Sequence, residues 1–145
     1  MPPVAEAPVS DRVLHLSFAA DPLSVREGLA RIMASPGLAD LDPGHRASIE
    51  LVLAEVLNNV TEHAYGAAGA TDRIGITLRH VPAGLSCQVV DSGRPMPQGR
   101  LPRGALPQAE FPEGGFGWHL IRTLTRDLSY ARYDGQNHLG FTIPA

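Results

Sequence analysis

Glu55, Asn59 and His63 stand at four-residue intervals in the stretch E-L-V-L-A-E-V-L-N-N-V-T-E-H-A-Y, residues 50–65. In an α-helix that spacing stacks side chains one turn apart on one flank. A carboxylate beside a carboxamide suits a hard cation: the amide oxygen of Asn59 can ligate it while Glu55 stays free to take a proton. Asn58 and Glu62 share the flank, with His63 at its margin. A helix turned simply toward water usually carries Lys and Arg in i,i+4 pairs there, and this one carries only carboxylates and carboxamides. From the helix alone, a solvated polar face accounts for the pattern equally well. Two further stretches could do chemistry: D-S-G-R-P, with Asp91, Gly93 and Pro95 at a strand end, and G-G-F-G, with Gly114, Gly115 and Gly117 opening a helix. Singly, the first reads as a plain turn and the second as a hinge.

The elements that must position these residues follow from periodicity. Ile49, Val52, Leu53, Val56, Leu57, Val60 and Ala64 form one broad apolar face at about 100° per residue, so the helix is buried against a sheet. Asp42-Pro43 starts it, and it is expected to run to about Tyr65, with Gly66 as its C-terminal stop. Before it, residues 12–18 alternate as an edge strand with His15 solvated, and Asp21-Pro22 opens a helix to about Met33 that Pro36-Gly37 ends. After it, residues 73–81 and 85–90 read as an antiparallel hairpin turned at Pro82-Ala83-Gly84. About eighteen residues without periodicity follow, M-P-Q-G-R-L-P-R-G-A-L-P-Q-A-E-F-P-E, a length that in a compact domain marks a functional lid or a linker, and the order that resumes beyond it favours a lid over 94–116. A helix from Trp118 to about Thr125 comes next, then a hairpin of 128–133 and 138–143 turned by Asp134-Gly135. The predicted fold is α+β: a two-layer sandwich whose mixed, mostly antiparallel sheet is covered on one face by three helices.

Composition narrows the function. The chain has 145 residues, enough for one domain, expected over 11–145 behind a mobile lead-in over 1–10. A formal charge of −3 leaves no electrostatic footprint for nucleic acid. Cys87 is the single cysteine, so an internal disulfide or a thiolate cluster is out, and no two of the six histidines fall at i,i+4, which removes a helical zinc pair. Neither a signal-peptide pattern nor a membrane-spanning stretch is present in the sequence, and the expected location is the cytoplasm.

Taken together and in this order, E-x-x-x-N-x-x-x-H, D-x-G-x-P and G-G-x-G resemble the N, G1 and G2 boxes of the Bergerat-fold, or GHKL, ATPases. The wording E-V-L-N-N-V-T-E-H-A-Y is most similar to the small bacterial anti-sigma-factor serine kinases, and the likeness spans nearly the whole chain. The resemblance implies ATP and Mg2+ as cofactors. It implies Asp91 as acceptor for the adenine amine, Gly93 and Pro95 around the base, Asn59 as the Mg2+ ligand with His63 beside it, and Gly114, Gly115 and Gly117 at the phosphates. Thr142 on the last strand would sit near adenine through water, and Glu55 would be the general base. Arg94, Arg100 and Arg103 read as solubilising lid charges. Trp118 stands where the family has a smaller aliphatic residue, restricting the lid or capping the core. By the same resemblance the chain is a homodimeric protein-serine/threonine kinase that sequesters an alternative sigma factor and phosphorylates a STAS-domain anti-anti-sigma protein. The alternatives are a non-catalytic nucleotide-gated binding switch, which Glu55 argues against, and the ATPase part of a sensor histidine kinase, against which stands the lack of a helical segment with an acceptor histidine.

Overall fold

The computed structural model describes residues 13–65, 72–102 and 115–145. The lead-in over 1–10, Gly66 and most of the lid, including Arg103 and Gly114, lie outside the described residues. Strand β1 (Val13–Ala19) is followed by helix α1 (Pro22–Ala34), a short α2 (Pro36–Ala39) and the long α3 (Pro43–Asn59). Strands β2 (Arg73–Val81) and β3 (Gly84–Asp91), helix α4 (Gly115–Leu124) and strands β4 (Arg126–Tyr133) and β5 (Gln136–Pro144) complete the chain. The strands form one sheet in the order β1-β2-β3-β5-β4, and every neighbouring pair is antiparallel. The sheet is thus the mostly antiparallel one expected, with no parallel pair. Among the described residues no helix is long and apolar enough to cross a membrane.

The start signals act through side chains. Asp21 accepts the Ser24 amide at 2.8 Å, and Asp42 accepts the Gly44 and His45 amides at 3.0 and 3.2 Å, so each helix begins where an aspartate takes up orphan donors ahead of a proline. Arg46 on α3 donates to the carbonyls of Met33 and Leu38, tying the ends of α1 and α2 to the long helix. The Asp134-Gly135 turn has φ of 54° and 72°, the paired positive angles that a two-residue hairpin turn needs.

The core lies between the sheet and the helices. Ile74, Ile76, Leu78, Leu85, Val89, Phe141 and Ile143 point inward from the strands to meet Ile32, Ile49, Val52, Leu53, Val56 and Leu57. All of the predicted α3 face that is described is buried. Gly28 is where α1 comes closest to β1: a Cβ there would stand 2.6 Å from two ring carbons of Phe18. Gly28→Ala should overpack this contact by about 1–3 kcal/mol, against which helix propensity returns at most about 1 kcal/mol. Urea unfolding is expected to show a net loss of stability.

Candidate nucleotide-binding site

Two departures from a plain α-helix shape the site. The long helix stops being α-helical at Asn59 and continues as a π-helical turn, Val60–Tyr65, where a uniform helix to Tyr65 was expected. Thr61 donates its hydroxyl to the Leu57 carbonyl at 3.0 Å, a side-chain bond that competes with the regular backbone ladder at the junction. The second departure is at α4, which begins at Gly115, three residues before the expected Trp118. Glycine is a poor helix former, and tertiary packing overrides that preference here. A Cβ on Gly117 would stand 2.6 Å from Glu55 Oε1 and 3.6 Å from Asn59 Nδ2, so a side chain there would push the Glu55 carboxylate out of the place that glycine leaves it. Trp118 is 2 % exposed and caps the core.

This packing divides the polar flank of α3. Asn58 and Glu62 remain exposed, Glu55 is half-buried, and Asn59 is 5 % exposed, so it does not face water with the others. Asn59 Nδ2 is fully enclosed, with no hydrogen-bond partner among the described residues. An unpaired buried amide costs about 1–3 kcal/mol, and a half-turn of the carboxamide would present its oxygen in the same place. Among the described residues no cluster of three His, Cys, Asp or Glu could hold a metal by itself. The donor set therefore fits an ion of the Mg2+ type, held by one amide oxygen and otherwise by substrate phosphates and water.

Asn59 also lines a narrow cleft, part of it open to solvent, together with Asp91, Pro95, Tyr130, Asn137 and Leu139. Asp91, 5 % exposed, accepts the Gly93 amide at 2.8 Å and Asn137 Nδ2 at 2.9 Å, both on Oδ1. Burial raises its pKa, and the bonds from Asn137 and Gly93 with the charges of Arg132 and His138 pull it part of the way back. Asn137 in turn donates to the Arg94 carbonyl and accepts from the Tyr130 hydroxyl at 2.6 Å and from Arg132 at 3.1 Å. Tyr130 also accepts the Met96 amide, and Arg132 donates to the Gly93 carbonyl at 2.6 Å. One network thus fixes the carboxylate, the G1 turn and the first residues of the lid.

The structure accordingly brings Asp91, Pro95 and Asn59 to one cleft, with Gly93 tied to Asp91 and Glu55 with Gly117 beside Asn59. Gly115 opens α4 next to them, and the His63 side chain is outside the described residues. Thr142 is elsewhere. It pairs with Ser86, five positions along β5 from the Asn137–Asp91 rung. Its side chain also leaves the opposite face of the sheet, since Asn137, Leu139, Phe141 and Ile143 occupy the inner phase. The period of two in a strand thus excludes the expected adenine role. Thr142→Ala should change ATP affinity by no more than about twofold in a calorimetric titration.

The residue that stands beside the carboxylate instead is Asn137. The sequence carried a signal for it: an asparagine in phase with Leu139, Phe141 and Ile143 on a strand whose inner positions are otherwise apolar. Starting that strand at His138, two residues late, hides it.

Comparison with known proteins agrees with this geometry. The profile of the histidine kinase-like ATPase domain matches residues 18–143. The serine/threonine-protein kinase BtrW of Bordetella bronchiseptica is 34% identical over 99 residues, which is 67% of this chain and 69% of that protein. The RsbU and RsbW domains of Rv1364c from Mycobacterium tuberculosis share the fold with a TM-score of 0.63 at 16% identity, over 91% of this chain but only 32% of that longer one. The histidine kinase domain of the blue-light activated kinase EL346 from Erythrobacter litoralis aligns with a TM-score of 0.50 at 19% identity, over 84% of this chain and 59% of its own. With Asn59 and Asp91 lining one cleft, Gly117 beside Asn59, and its profile matched almost from end to end, the chain belongs to the histidine kinase-like ATPase domain family, in the Bergerat-fold superfamily.

Proposed function

We propose that this protein is an ATP-dependent serine/threonine-protein kinase that acts as a cytoplasmic, homodimeric anti-sigma factor and phosphorylates a STAS-domain anti-anti-sigma protein. The observation that carries the reading is the convergence of Glu55, Asn59 and Gly117 beside the Asp91 cleft. The kinase named among its relatives supports the same class of reaction.

In this reading Asp91 accepts the adenine amine and the cleft walls hold the base. Asn59 presents its amide oxygen to the metal. The amides of Gly115 and Gly117 at the N-terminal end of α4 meet phosphate, where the helix carries partial positive charge. ATP with Mg2+ supplies the transferable phosphoryl group and the cation that offsets its charge. Glu55, held against Gly117, accepts the proton of the incoming seryl or threonyl hydroxyl. Met96, near the start of the segment read as the lid, is held at the cleft by its amide's bond to the Tyr130 hydroxyl.

Thermal unfolding with nucleotide is the direct test. ATP with Mg2+ should raise the melting temperature by mass action, and GTP, which offers a carbonyl where adenine offers an amine, should not. An equal shift with GTP would remove Asp91 from base recognition. No shift with either nucleotide would remove the cleft from nucleotide binding.

A further inference from the structure

The helices cover one face of the sheet, and the other face is built differently. Arg79 from β2, Ser86 from β3, Thr142 from β5 and Arg126 from the edge strand β4 share a single rung, in that order across the sheet, with Val13 of β1 beyond Arg79. The two arginines are exposed and the two hydroxyl residues half-buried. Three strand-to-strand steps of about 4.8 Å put the arginine backbones about 14 Å apart, so their side chains can fold inward over the hydroxyls. On the neighbouring rung the polar side chains of Gln88 and Ser129 close over Gly140, which is buried beneath them. None of the paired strand residues facing this side is a carboxylate; Asp127, next to Arg126, sits unpaired in the β4 bulge with φ of 55°. The helix layer leans the other way: Glu27, Asp40, Asp42, Glu50 and Glu62 are exposed there against the exposed Arg26, Arg31 and Arg122. A chain of net charge −3 thus keeps a cationic, hydrogen-bonding strip on its uncovered sheet face.

We propose that this face docks an acidic surface of a partner protein, with the partner's carboxylates held between Arg79 and Arg126 over the hydroxyls of Ser86 and Thr142. Charge complementarity selects that occupant. Stacking two such faces in a second copy of the chain would set arginine against arginine. Nucleic acid is disfavoured by the overall negative charge. Apart from Val13 at the β1 edge, this rung carries no large apolar side chain, so the contact is mostly polar and salt-sensitive, which suits an exchangeable partner. Thr142, outside the nucleotide cleft, acquires its role here. The inference stands on the sheet register and does not depend on the kinase reading.

The test uses the full chain, isotopically labelled, titrated with a glutamate-rich helical peptide and followed by amide chemical shifts. Shifts on Ser86, Gln88, Thr142 and Arg126 are expected, with about tenfold weaker binding in R79E/R126E. The charge-matched R26E/R31E, changed at exposed positions of α1, should bind as the parent does, and all three proteins should melt alike. Shifts confined to the helix layer, or equal weakening by both double variants, would overturn the proposal. So would a duplex oligonucleotide that displaces the peptide from the face, which would reassign it to nucleic acid. Sheet-face shifts that appear on raising protein concentration without peptide, and vanish in R79E/R126E, would reassign it to self-association and overturn it equally.

Discussion

Glu55→Gln is expected to lower phosphoryl transfer by about 10²–10⁴-fold, the usual contribution of a positioned general base, while ATP still raises the melting temperature of the variant. The separation follows from where the side chain lies. Glu55 is half-buried beside Gly117 and does not line the base cleft, whereas Asn59 and Asp91 do. Glutamine keeps the volume and the packing against α4 but cannot take a proton. The measurement is transfer of label from ATP, to a STAS-domain acceptor or to water, beside a nucleotide melting shift on the same preparation. Parent-like transfer would remove Glu55 from the mechanism; loss of the melting shift would show that it positions the nucleotide instead.

Asp91→Asn should weaken ATP by about 10²-fold or more, because a carboxamide can set a donor against the adenine amine where the carboxylate accepted from it. Its effect on the nucleotide-free protein has the opposite sign. Burial raises the Asp91 pKa, so folding favours the protonated form. The contribution of this group to stability is therefore greatest at low pH and is lost as pH rises through the elevated pKa. At neutral pH the charged carboxylate is held at a cost, and the neutral variant should melt at or above the parent temperature. That advantage should shrink as pH falls toward the ordinary carboxylate range, where the parent carboxyl is protonated as well. Nucleotide affinity of the parent should run the other way, falling as the acceptor is protonated. Chemical unfolding and ATP titration across pH 4–8 check both trends. A variant that binds ATP as tightly as the parent would end the base-recognition role.

A stable protein that keeps an unpartnered amide at Asn59 and a buried carboxylate at Asp91 is holding polar groups where apolar ones would fold more easily. Both line one cleft, and that coincidence is the physical sign of a site kept for a ligand.

Much of this was legible in the chain. The apolar face of α3, the aspartate-proline starts at Asp21 and Asp42, the Asp134-Gly135 turn and the alternation of β2 and β3 are local patterns, set by a few neighbouring residues and the periods 3.6 and 2. The three boxes were equally legible, because each is short and contiguous. The sequence by itself therefore determined most of the elements and the fold class, and it named the candidate residues of the site.

Contacts between distant segments decided the rest. Asn59 reads as one of a solvent-facing stripe until α4 packs over it, with Gly117 leaving room for the Glu55 carboxylate beside it. Asn137 became the partner of Asp91, and Thr142 did not, through the antiparallel register of β3 and β5. The alternation of β5 sets which face Asn137 takes, but which residue of β3 it meets depends on the pairing of two separate strands, and no local pattern in either fixes that.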